Sequence, residues 1–151
     1  MRIAVVGLGD IARKAYLPVL ATDPTLEPVF VTRNATVREE LSRAWRVSET
    51  HERLDDALTA GVDAAFVHAA TNAHSTLVST LIGAGVPTLV DKPLADSYDE
   101  AARLVELADR RRVGLMVGFN RRHAPAYREV AEWPDRDVVL LHKHRHDLPD
   151  V

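Results

Sequence analysis

The chain contains no cysteine, so disulfides and thiolate metal sites are excluded from the outset. It has no basic surplus either: the formal net charge is -3, the wrong sign for general binding to a phosphate backbone. No apolar run is long enough to span a bilayer, and Met1-Arg2 leads straight into a strand pattern without a signal-peptide layout. Internal repeats and low-complexity segments are also missing. These absences set the expectation of a cytoplasmic protein with no nucleic-acid or membrane partner. What remains is ordinary globular material, 46% hydrophobic and 27% charged over 151 residues, enough for one domain or one domain with part of another.

The strongest positive signal stands at the start. Ile3-Ala4-Val5-Val6 is a short apolar run that ends in Gly7-Leu8-Gly9-Asp10-Ile11-Ala12, and a helical pattern follows at once. A buried strand that turns through glycines into a helix N-terminus offers a place for pyrophosphate. Gly7 permits the tight turn, Gly9 leaves the backbone bare toward phosphate, and Ala12 lets the helix pack close on the strand. The free N–H groups and positive end of that helix face the anion, with Asp10 and Ile11 in its first turn.

Strand-like and helix-like segments then alternate, the pattern of an α/β Rossmann doubly wound parallel sheet. Strands are expected at 3–6, 28–32, 46–48, 63–68, 88–90 and 115–117. Helices are expected at 10–21, 36–45, 54–58, 74–84 and 98–112. Pro18 should kink or shorten the first helix, and Asp96 or Ser97 should cap the last. A further helix over 123–132 and a seventh strand, Val138 to Lys143, read as the start of a second α/β domain. The expected division is 1–120 and 121–151.

Three segments just beyond strand ends carry candidate chemistry. Thr32-Arg33-Asn34 follows strand two, where an NAD-preferring site places a carboxylate for the ribose hydroxyls. None is present, and a guanidinium suits a 2′-phosphate. The choice for Arg33 is between that phosphate and a solvated loop. Ala70-Thr71-Asn72 follows strand four and is expected to touch the cofactor, with His74 capping or packing the next helix. His68, nearer the strand interior, is expected to be a satisfied buried histidine and not a catalyst. Asp91-Lys92-Pro93 follows strand five. Lys92 points toward the place of a nicotinamide ring, where desolvation and a neighbouring cation favour a proton-transferring amine. The alternative is a lysine paired with Asp91 to hold the loop.

Gly7-Leu8-Gly9-Asp10-Ile11-Ala12, Thr71-Asn72-Ala73-His74, Asp91-Lys92-Pro93 and Gly118-Phe119-Asn120-Arg121-Arg122 occur in the order found in the Gfo/Idh/MocA oxidoreductases, which the chain resembles over residues 1 to about 145. Val67-His68, Val90-Asp91-Lys92-Pro93-Leu94 and Leu115-Met116-Val117 are similar to the virulence-factor-type members. The resemblance implies an N-terminal domain binding NADP, or else NAD, and a C-terminal domain binding substrate and mediating oligomerisation. It implies hydride transfer between nicotinamide and a sugar, polyol or related small molecule. Lys92 then takes the family's catalytic lysine position. Asp91 stands where the family has a glutamate one methylene longer, and Asn120 and Arg121 fall where it lines the cofactor crevice. The family's second catalytic motif lies in the C-terminal domain, beyond this chain, which is therefore expected to bind cofactor and turn over nothing alone. The competing readings are a non-catalytic dinucleotide-binding or regulatory module, and a scaffold with a relic loop. His142, His144 and His146 alternate on the last expected strand, and the following Asp147-Leu148-Pro149 argues against their holding a metal.

Overall fold

A computed structural model describes residues 1–135 together with Val138 and Leu140. It falls into two compact units, Met1–Phe119 and Asn120–Val151.

The first unit is built on strands whose residues are apolar without alternation, as both faces are covered. β1 (Arg2–Val6) lies at the centre and pairs in parallel with β2 (Glu27–Val31) on one side and β4 (Ala64–Val67) on the other. With β3 (Thr50–His51), β5 (Thr88–Val90) and β6 (Leu115–Val117) the order is β3-β2-β1-β4-β5-β6. Successive side chains of β1 go to opposite faces. Ile3 and Val5 join Phe30, Leu17, Leu20 and Leu41 in one core cluster, while Ala4 and Val6 join Val29, Val67, Leu81 and Val90 in the other.

The first crossover departs from a plain helix. A π-helical turn at Ala12–Tyr16 runs into α1 (Leu17–Leu20), with Pro18 in its first turn. Proline has no N–H to give to the carbonyl four residues back, so the hydrogen-bond ladder is interrupted there. The expected effect of Pro18 is thus expressed as a widened turn that ends at Tyr16. α2 (Ala35–Trp45) starts on Asn34, whose side chain accepts from the Val37 N–H. Arg46 ends it in the left-handed region at φ 56°, with the Val47 N–H donating to the Ser42 carbonyl. That turn consumes the residues expected as strand three, and the strand forms four residues later.

α3 (Leu54–Ala60) is followed after β4 by α4 (Thr71–Gly83), which begins three residues earlier than the sequence suggested. Ala70 is extended and takes the N-cap position, so Thr71 and Asn72 form the first helical turn. α5 (Tyr98–Arg111) is capped by Ser97, which accepts from the Glu100 N–H.

The second unit contains a 3-10 turn at Asn120–His123 and α6 (Pro125–Glu132). The expected strand at Val138 to Lys143 and the histidine run fall mostly outside the described residues. Among those described, no helix is long and apolar enough to cross a membrane.

Candidate functional site

The sheet changes direction of winding between β1 and β4, and the loops leaving those two strands part there to leave a crevice. Gly7 forms its floor. It adopts φ +88°, and its Cα faces the β4 end so closely that a Cβ would stand 2.7 Å from the Ala69 nitrogen and 2.8 Å from the His68 carbonyl carbon. Only glycine fits both demands. Gly9 is the opposite case: a Cβ there would meet nothing within 4 Å. Ala12 is fully buried, as close packing of the turn on the strand requires, whereas Asp10 and Ile11 are exposed, Asp10 holding Lys14 at 2.7 Å.

A cavity of about 750 Å³ opens between the ends of β1, β2 and β4. It gathers Gly7 with Thr32, Arg33 and Asn34 of the β2 loop, and with Ala73, Thr76 and Thr80 along α4. Glu52, Arg53 and Asp55 also line it. Of these, Thr76, Thr80, Glu52, Arg53 and Asp55 were not singled out by the sequence reading. The Thr76 and Thr80 spacing of one helical turn was the available signal for α4, and the strand-three misplacement hid the others. Arg53 is paired with Asp55 at 3.2 Å, which leaves Arg33 and Glu52 as the cavity's charges of opposite sign. Ala70, Thr71, Asn72, Asp91 and Lys92 are not among its lining residues.

Lys92 is exposed at the end of β5, on a loop held from both sides. Behind it, the Asp91 N–H donates to the Val67 carbonyl, and the Asp91 carboxylate lies 3.0 Å from Nδ1 of His68. The Tyr16 hydroxyl and the Asp91 Oδ1 both face Gly118, 3.3 and 3.6 Å from where a Cβ would stand there. Asp91 therefore turns to His68, and the sequence alternative of an Asp91–Lys92 pair does not form. Ahead of Lys92, the Pro93 carbonyl lies 2.8 Å from Nδ1 of His74, while Nε2 of His74 lies 3.0 Å from the Ala69 carbonyl. With both nitrogens committed to main chain and 1% exposure, His74 offers nothing to a ligand. It fastens the β4 loop to the β5 loop, in keeping with the expected packing role.

His68 is buried as expected but only half satisfied. Its side chain is fully enclosed, its ring lies 4.0 Å from that of Tyr16, and Nε2 has no partner. Burial first, then the charge and hydrogen bond of Asp91, push the Tyr16 phenol above its ordinary value. Asn120 and Arg121 belong to the second unit, in its 3-10 turn.

Comparison with known proteins matches residues 1–119 to the Gfo/Idh/MocA model, described as an oxidoreductase family with an NAD-binding Rossmann fold. YceM of Salmonella typhimurium is 42% identical over 97% of this chain and 48% of its own length. The crystal structure of a Gfo/Idh/MocA family oxidoreductase from Vibrio cholerae superposes with TM-score 0.82 at 52% identity, over 86% of this chain and 42% of that one. KijD10, a 3-ketoreductase from Actinomadura kijaniata solved with NADP and TDP-benzene, gives TM-score 0.79 at 29% identity, over 87% of this chain and 41% of that one. The chain thus spans about half the length of the relatives it matches.

Proposed function

This chain belongs to the Gfo/Idh/MocA family of oxidoreductases and carries its NAD-binding Rossmann domain, and from that premise we propose that it is the coenzyme half of an NADP-preferring dehydrogenase or reductase acting on a sugar-like compound. The observation that carries the reading is the pairing of a closed Gly7 with an open Gly9 at the β1–β4 crevice. A turn with no room beneath it and nothing above it fits the backbone approach of a pyrophosphate.

In this reading the turn from Gly7 through Asp10 and Ile11 to Ala12 receives the pyrophosphate, and Thr32, Arg33 and Asn34 receive the adenosine ribose. Arg33 binds the 2′-phosphate, supported by the lack of a carboxylate on the β2 loop and by the pairing of the cavity's other arginine with Asp55. Glu52 in the same cavity favours a second reading, in which it accepts from the ribose diol of NAD. Ala70, Thr71, Asn72 and Lys92 form the nicotinamide end, and Asn120 and Arg121 are taken as cofactor contacts on the resemblance to the family alone.

When bound, the nicotinamide exchanges hydride with the substrate carbon. Lys92 handles the accompanying proton: its amine takes the hydroxyl proton in oxidation, and its ammonium returns it to the carbonyl oxygen in reduction. The substrate class is supported by a relative from Actinomadura kijaniata that is a dTDP-3,4-didehydro-2,6-dideoxy-alpha-D-glucose 3-reductase, 30% identical over 92% of this chain. The second unit is read as the beginning of the substrate domain. A purely regulatory dinucleotide module is disfavoured by an exposed lysine braced on both sides at the nicotinamide end.

The test is a parallel fluorescence titration with NADPH and NADH. Tighter NADPH binding supports the Arg33 assignment; tighter NADH binding moves the ribose contact to Glu52. Absence of binding by either would overturn the glycine-loop reading.

A further inference from the structure

Asp91 is one methylene short of the glutamate that the resemblance leads one to expect, and His68 lies where that shortening has to be made good. The carboxylate lies 3.0 Å from Nδ1 of His68 at the β4 end, and Tyr16 of the π-helical turn packs on the His68 ring. The Asp91 main-chain N–H is tied to the Val67 carbonyl. The His68 ring is clamped in turn, 4.0 Å from Tyr16 and 6.1 Å from Phe66 between ring centroids.

The far side of that ring decides what it can do. In an Asp–His pair that moves protons, the second nitrogen faces the reacting group. Here Nε2 is buried and faces no hydrogen-bonding group among the described residues, unlike the second nitrogen of such a relay. What remains to His68 is to donate from Nδ1 to the carboxylate. We infer that His68 is a positioning residue that holds Lys92 in place through the Asp91 carboxylate, with Tyr16 packed on its ring. This rests on the reading of Lys92 as the proton-handling group. Misplacing such a group by about 1 Å can cost about a hundredfold in rate, which gives the His68–Asp91 brace its purpose.

The chain has only three lysines, Lys14, Lys92 and Lys143, so ¹³C-lysine labelling of the full chain gives a spectrum simple enough to follow one of them. Lys92→Arg identifies the Lys92 signal. Two substitutions then separate hydrogen bonding from packing. His68→Asn keeps a donor near the place of Nδ1 with less volume, and His68→Leu keeps volume with no donor. Without nucleotide, the Lys92 signal should stay at its parent position in His68→Asn and move toward that of a free lysine in His68→Leu. Movement in both, in neither, or in the asparagine variant alone overturns the inference. Addition of NADP⁺ to the parent chain is the separate arm. A Lys92 signal that ignores bound NADP⁺ removes Lys92 from the nicotinamide end, and leaves the nucleotide-free comparison to stand or fall by itself.

Discussion

Gly7 and Ala69 are in contact across 62 residues of sequence: a single methyl on Gly7 would sit 2.7 Å from the Ala69 nitrogen. The neighbour is backbone and cannot swing away. Gly7→Ala should therefore lose stability, about 1–3 kcal/mol from its positive φ alone, and dinucleotide binding with it. Gly9→Ala meets no atom and should leave the thermal midpoint nearly unchanged while weakening dinucleotide binding. Thermal melts with matched titrations separate the two. Equal destabilisation of both variants would contradict the assigned geometry.

Arg33 is the cation of the cavity that is not committed to Asp55. A hydrogen-bonded charge pair contributes about 1.5–3 kcal/mol, equivalent to roughly ten- to hundredfold in affinity. Arg33→Ala should cost NADPH that much and NADH little, measured by titration of both nucleotides. Equal losses would place Arg33 outside the 2′-phosphate contact.

Tyr16 carries a pH dependence of definite sign. Burial, followed by the Asp91 charge and hydrogen bond, raises its folded value above the ordinary 10.0. The folded chain then keeps a proton that the unfolded chain releases. Its contribution is fully present below pH 10 and is lost as pH rises through the folded value. Parent protein should lose melting temperature above pH 10 more steeply than Tyr16→Phe. Identical alkaline limbs would show that the phenol is not held by Asp91.

Glu49 behaves in the opposite sense at the other sheet edge. The His51 hydrogen bond, opposed by partial burial and reinforced by Arg2, lowers its value from 4.5. Arg2 Nη2 reaches the carboxylate at 2.7 Å and His51 Nε2 at 2.9 Å. The stabilisation is present above pH 4.5 and lost as pH falls through the lowered value. Glu49→Gln should melt below the parent at neutral pH and converge with it in acid. A constant gap across the acid range would assign the loss to packing.

The parts of this fold that could be read in advance are those with a local cause. β5 and β6 stand where an apolar triplet is bounded by Pro87 or Gly114, and α5 starts where Ser97 precedes Glu100 by three. β3 moved because a left-handed arginine, Arg46, ends α2 with no glycine to announce it, and because a two-residue strand has no period to detect. At the site, the glycine loop and Lys92 announce themselves through their neighbours in sequence. The partner of Asp91 does not. His68 is 23 residues away, Tyr16 lies on another crossover, and only the packed sheet brings the three together. The reading of His68 as satisfied failed because a histidine's role is set by what faces its second nitrogen.

The parallel register of β1 on β4, Ile3 to Ala64 and Val6 to Val67, makes coenzyme binding a report on chain closure. The loop that resembles a self-contained motif has no floor until a segment 60 residues downstream has docked beside it. A peptide carrying residues 1–60 would possess every glycine of the motif and still present no crevice. Because such long-range contacts form against the entropy of the intervening chain, nucleotide affinity should emerge late in refolding, together with the last of the native sheet and not with the first helix.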